Sequence, residues 1–88
     1  MSIQHNSAAH TFTDGQAELV YEQRAADIID FVHTFVPEDR RGQGVGEGVA
    51  KAGLDYARQH QLRVMADCPF VASYLKEHPE YADLMGTN

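Results

Sequence analysis

The chain predicts an α/β fold. It reads as a truncated α/β sandwich: an antiparallel meander of three strands, a helix, a parallel strand and a second helix, in the order β-β-β-α-β-α. Three observations carry this prediction. Apolar residues before Pro37 alternate or run continuously, as in strands, whereas those after Gly44 recur at helical spacing. A glycine-dense turn, Arg40-Arg41-Gly42-Gln43-Gly44-Val45-Gly46-Glu47-Gly48, separates the two regimes. A further short apolar run after His60 then leads into Pro69, so strand, helix and strand follow in succession. That succession implies a right-handed crossover between parallel strands.

Each element has its own signal. Met1 to Ala9 is small and polar and reads as a flexible end. His10 to Thr13 is a short strand, and Asp14-Gly15 after it is a strong hairpin signal. Ala17 to Arg24 alternates, with Ala17, Leu19 and Tyr21 on one face and Glu18, Glu22 and Arg24 largely on the other. Ala25-Ala26-Asp27 is a second turn. Ile28 to Val36 is β-branched and aromatic on both faces, with Ile29, Phe31 and Phe35 on one and Ile28, Val32 and Val36 on the other. This predicts a central strand covered on both sides.

The helix after the turn carries a stripe of Val45, Val49, Ala52 and Tyr56, beside the small residues Gly46, Ala50, Gly53 and Ala57. Its polar face includes a favourable Glu47–Lys51 pair. Arg58 and His60 suit its C-terminal end. Gly48 and Gly53 each cost about 1 kcal/mol of helix propensity relative to alanine. Close packing against the sheet accounts for Gly53; no packing reason is apparent for Gly48. Leu62 to Ala66 is a strand. Pro69 suits the first position of the second helix, in which Val71, Tyr74, Leu75 and His78 recur at helical spacing and which Pro79 stops. Gly86-Thr87-Asn88 should be loose. No linker or repeat divides residues 1–88, which read as one domain.

Composition narrows the function. Hydrophobic content of 43% argues against disorder. No run approaches the ~18 apolar residues that span a bilayer, and the N-terminus lacks a signal-peptide pattern, so no membrane is expected. A lone cysteine forms no internal disulfide and suits a reducing, cytoplasmic setting. The five histidines are scattered and none pairs with Cys68 at ligand spacing, so no metal is expected. Seven basic against thirteen acidic residues, a net charge of −6, argue against nucleic acid and suit a cationic acceptor. With only 88 residues, a ligand or a second copy of the chain in a homodimer would add needed stability.

The glycine turn points to an anion. The first amides of a helix lack partners inside it and can face phosphate oxygens. Arg40 and Arg41 add positive charge there. Three patterns compete. The dinucleotide fingerprint fails, because its last glycine falls on Glu47 or Val49. The P-loop fails, because Lys51 follows Ala50. Arg41-x-x-Gly44-x-Gly46 remains, and it resembles the acyl-coenzyme A loop of the GNAT superfamily of N-acetyltransferases, Gln/Arg-x-x-Gly-x-Gly/Ala. A second block, Cys68-Pro69-Phe70-Val71-Ala72-Ser73-Tyr74 through His78-Pro79-Glu80-Tyr81, resembles a short single-domain subgroup of that superfamily. Together the resemblance spans roughly Asp27 to Leu84.

The resemblance implies an acetyltransferase using acetyl-coenzyme A and an amine acceptor, with direct attack by the amine. Arg41, Gly42, Gln43, Gly44, Val45 and Gly46 would hold the pyrophosphate. A backbone N–H near Phe35 or Val36 would polarise the thioester carbonyl. Three side chains are candidates for catalysis. Cys68, before a helix N-terminus, lines the acetyl channel, accepts the acetyl group transiently, or is an inert buried thiol. Tyr74 either protonates the leaving thiolate or belongs to the core. His33 is a base acting through water or a hydrogen-bonded core residue. Fuller members continue with strands and a helix that build the acceptor wall, so the resemblance covers the donor half. The rival reading is a non-catalytic acyl-coenzyme A-binding module or a subunit that depends on a partner.

Overall fold

Asp14-Gly15 opens a two-residue hairpin. In the computed structural model, which describes residues 3–85, Asp14 pairs with Ala17 across it and Gly15 takes a left-handed φ of 62°. The hairpin joins β2 (Thr11–Asp14) to β3 (Ala17–Ala25), and the Ala26-Asp27 turn leads to β4 (Ile28–Phe35). A strand not anticipated from the sequence, β1 (Gln4–Asn6), pairs antiparallel with β2 where a loose end was expected. His5 explains its hold: its ring stacks on Phe12 at 4.3 Å and its Nε2 hydrogen-bonds the Tyr21 hydroxyl at 2.6 Å.

After the glycine turn come α1 (Val45–Gln59), β5 (Arg63–Ala66) and α2 (Pro69–Glu77), with Pro69 in the first turn of α2. A 3-10 segment, Pro79–Met85, follows. The sheet order is β1-β2-β3-β4-β5, antiparallel throughout except for the parallel β4–β5 pair that the crossover demanded. Met1, Ser2 and the expected loose end at 86–88 lie outside the described residues.

Both helices lie on one face of the sheet, against each other. Between them and the sheet sits the core: Phe12, Leu19, Ile29 and Phe31 from strands, Val49, Leu54 and Ala57 from α1, Val71 and Leu75 from α2. The alternation of β3 placed Ala17, Leu19 and Tyr21 inward, and all three are buried. The 3-10 segment is tied back to α1. Arg58 donates to both Asp83 oxygens at 3.0 and 3.1 Å, and the Tyr81 hydroxyl donates to Asp55 at 2.6 Å. Lys51 pairs with Asp55 at 2.7 Å rather than with Glu47 as spacing suggested. Among the described residues no helix is long and apolar enough to cross a membrane.

The expectation that β4 is covered on both sides is corrected. Among the described residues no helix covers the second face: Ile28, Val20 and Val32 are half-buried, and Met65 is exposed. Apolar character on both sides of β4 reflects a bulge rather than two-sided cover. Val20 pairs with His33 but Tyr21 with Phe31, so Val32 is an extra residue.

The two helical glycines separate cleanly. A Cβ on Gly53 would lie 2.7 Å from Phe31 and 2.9 Å from Leu19, so Gly53 lets α1 sit against the sheet. A Cβ on Gly48 would meet only Ile3, at an ordinary 3.7 Å. Gly48→Ala should therefore stabilise the protein by up to about 1 kcal/mol through helix propensity. Gly53→Ala should destabilise it by about 1–3 kcal/mol through overpacking. Urea denaturation of the two variants beside wild type checks both signs.

Candidate functional site

The site begins where β4 outruns its parallel neighbour. Their register ends at Phe31 and Ala66. The Cys68 N–H then donates to the Phe31 carbonyl at 2.9 Å and the chain turns into α2. The edge of Val32–Phe35 that β5 would have covered meets no further strand among the described residues.

The Val32 bulge decides what faces the helices there. Past it, Thr34 pairs with Leu19 and shares the helix-covered face, whereas His33 pairs with Val20 and Phe35 with Glu18 on the open face. The grouping of Phe35 with Ile29 and Phe31 is thus corrected. Phe35 lies on the opposite face and is 44% exposed. His33 is exposed and is no core residue.

The glycine turn follows Pro37 and a 3-10 turn at Glu38–Arg40. Gly42 and Gly44 take φ of 79° and 80°, a left-handed conformation costly for other residues. Gly44 caps α1 without a side chain, and the first intrahelical bond is Gly48 N–H to Gly44 O at 2.9 Å. The amides of Val45, Gly46 and Glu47 are left at the open helix end, as a helix start dictates. Gly46 is buried: a Cβ there would lie 2.8 Å from the Phe70 ring and 3.3 Å from Val36.

These elements enclose a cavity of about 420 Å³, within the range of small-molecule sites. Of the residues predicted to hold a cofactor, Val36, Arg41, Gly42, Gly44, Val45 and Gly46 line it together. Gln43 is not in the wall; its side-chain amide donates to Asp39 O at 3.1 Å. The two arginines differ. Arg40 is occupied by Asp14, donating to its carbonyl at 2.6 Å and to Oδ1 at 3.2 Å. Arg41 Nε donates to Val36 O at 3.1 Å, and no carboxylate pairs with its guanidinium among the described residues. Arg41 is therefore the cation left for an incoming anion.

Arg40 also lines the cavity, and Thr34, Phe70 and Glu47, which were not singled out from sequence, complete the wall. Through Thr34 the cavity meets Cys68, whose Sγ lies 3.3 Å from Thr34 Oγ1. Cys68 is buried and caps α2 but is not itself in the wall. Tyr74 lines a second cavity, of about 140 Å³, with Glu47, Phe70, Ser73 and Glu77. Phe70 and Glu47 thus stand between the two. Burial pushes the Tyr74 hydroxyl above its ordinary pKa; Lys51 opposes this, while Glu80, Asp55 and Glu47 add to it. The phenol keeps its proton at neutral pH. No group of three metal-ligating side chains occurs among the described residues.

Comparison with known proteins decides the family. Residues 8–84 match the model of the GCN5-related N-acetyl-transferase family. The chain belongs to the GCN5-related N-acetyltransferases. Within that family it is similar to the protein NATD1 of Gallus gallus, at 32% identity over 85 residues, covering 90% of this chain and 77% of the relative. NATD1 of Homo sapiens shows 32% identity over 83 residues, covering 88% and 74%. A solution NMR structure of a GCN5-like protein from Staphylococcus aureus superposes with a TM-score of 0.76 at 29% identity, covering 99% of this chain and 90% of that one. The chain thus has the N-acetyltransferase-type fold that its motifs suggested, with one more strand than they indicated.

In this family member the β2–β3 hairpin is fastened to the turn by Arg40. Asp14 is buried and Arg40 is its ion-pair partner. Arg40→Ala should cost about 1–3 kcal/mol by leaving that carboxylate unpaired. Arg41→Ala, at an exposed residue, should cost well under about 1 kcal/mol. Thermal melts of the two variants measure the difference.

Proposed function

We propose that this protein binds acetyl-coenzyme A in the larger cavity and transfers the acetyl group to an amine. One observation carries the proposal. The left-handed Gly42–Gly44 turn, the open amides of α1 and the uncommitted Arg41 converge on one cavity, walled on the far side by the end of β4 that β5 leaves uncovered. The residues fit the donor's chemistry. A diphosphate takes the amides and Arg41, and small residues let it approach the backbone.

The donor supplies an activated acetyl thioester. The chain's own residues orient it and stabilise charge. The free edge of β4 offers backbone N–H groups near Phe35 and Val36 toward the carbonyl oxygen, where negative charge grows. Tyr74 holds a proton behind Phe70: as the amine nitrogen bonds the carbonyl carbon and the C–S bond breaks, the phenol protonates the departing thiolate once Phe70 turns aside and recovers a proton, through solvent, from the acylated nitrogen. Thr34 hydrogen-bonds Cys68, which keeps that thiol beside the reacting end. His33 faces away from this cavity and is left out of the proposed chemistry.

A second reading has its own support. Cys68 and Tyr74 both stand outside the wall of the cavity, as they would in an acyl-coenzyme A-binding module or a subunit completed by a partner. Calorimetric titration with acetyl-coenzyme A tests binding. Gly44→Glu adds bulk and negative charge and should weaken affinity by about tenfold or more. Equal affinity in both proteins would refute the placement of the site. Release of free coenzyme A thiol across a broad panel of amines then separates transfer from binding. Binding without release above the uncatalysed rate would select the module.

A further inference from the structure

A second cluster of charge lies on the open face, away from the donor cavity. At its centre is Asp30, 0% exposed on β4. Its carboxylate is fully engaged. Oδ2 accepts from Arg24 Nε at 3.0 Å and Nη2 at 2.8 Å, and Oδ1 accepts from the Asp67 backbone N–H at 3.3 Å. Arg24 is itself the extra residue of a second bulge, on β3 between Gln23 and Ala25. It also pairs with Glu22 at 2.8 Å and reaches Asp67 Oδ2 at 3.6 Å.

Asp67 is the residue between β5 and α2. The next residue is Cys68, with its N–H on Phe31 O and its thiol on Thr34. Asp30 and Phe31 thus grip consecutive amides of one turn, and that turn carries the cysteine. Burying the Asp30 carboxylate is a costly way to hold a turn, since its partner Arg24 is 44% exposed and offsets only part of that cost. Its return is a fixed geometry.

We propose that Asp30 is a positioning residue: through Asp67 and Arg24 it fixes the β5–α2 turn, and thereby the place of the Cys68 thiol against Thr34. This rests on the geometry around Cys68 and not on acetyl transfer, so it stands or falls separately from the proposed function.

The hold responds to pH. Burial would raise the Asp30 pKa, but hydrogen bonds from the Asp67 side chain, from Arg24 and from the Asp67 N–H bring it below the ordinary carboxylate value. Asp67 moves the other way, raised by its hydrogen bond to Asp30 and then by the charge of Asp30. The pair shares one proton between these two pKa values. As pH rises through the raised pKa of Asp67 the proton leaves, and two carboxylates face each other across the turn. As pH falls below the lowered pKa of Asp30, the Arg24 pair is lost instead. The other charged or titratable groups on this face are Arg24, Glu22 and Glu18 from β3, His33 from β4 and Arg63 from β5.

Alkylation of Cys68 by iodoacetamide reads the turn, because a buried thiol reacts only when its surroundings open. Asp67→Asn keeps a hydrogen-bond donor toward Asp30 and never ionises. The wild-type to Asp67→Asn rate ratio cancels the thiol's own titration. It should stay near unity at about pH 4 and climb severalfold by about pH 8. Asp30→Asn should alkylate about tenfold faster than wild type at every pH. If that variant does not fold, Arg24→Gln replaces it, with melting temperatures confirming that global unfolding is not what is read. A flat ratio across pH, together with an unchanged rate in the folded variant at Asp30 or Arg24, would overturn the proposal.

Discussion

The structure depends on one mismatch of length. β4 continues beyond Phe31, still paired with β3, while β5 ends at Ala66, so the other edge of its last residues meets no strand among the described residues. The larger cavity is built against that edge. In a regular sheet β5 would cover this edge of β4; here the Val36 carbonyl just past the strand takes Arg41 instead. The Val32 bulge completes the arrangement by turning Thr34 toward the helices and Phe35 away. Without the extra residue, the pleat would send Phe35 to the helix-covered side and Thr34 to the open one.

The electrostatics of the site follow from how each arginine is employed. Two adjacent cations look equivalent in sequence. In the fold Arg40 serves the hairpin through Asp14, and Arg41 is held only by the Val36 carbonyl. The acidic balance of the chain therefore coexists with a positive spot made of one side chain and the start of α1. On the opposite face, Arg24 neutralises a buried carboxylate and supports a turn rather than a ligand.

Much of this was legible in the sequence. Asp14-Gly15, the Ala17–Tyr21 alternation, Pro69 and the change of period after Gly44 each mark a real boundary, because each rests on local backbone or pattern chemistry. The glycine turn and Arg41 were legible for the same reason. What escaped rests on tertiary context. β1 is polar and short and is held by one histidine's stacking, which leaves no periodic trace. The bulge is set by its partner strand, so the apolar residues of β4 read as two-sided cover. Thr34 and Phe70 reach the cavity only through that bulge and through the crossover. Glu47 and Lys51 have pairing distance in sequence, but Asp55 competes for the lysine and wins.

The parallel pair also sets the order in which the molecule can assemble. β1 to β4 close through neighbouring hairpins, so their contacts are local and quick to form. β4 and β5 join residues as distant as Ile28 and Arg63, and the entropy of closing that long loop must be met first. Phe70 arrives later still, from α2. During synthesis β4 and the glycine turn thus leave the ribosome well before Phe70 can complete the cavity wall, and any early capture of a ligand by the emerging loop would be loose until the last third of the chain docks.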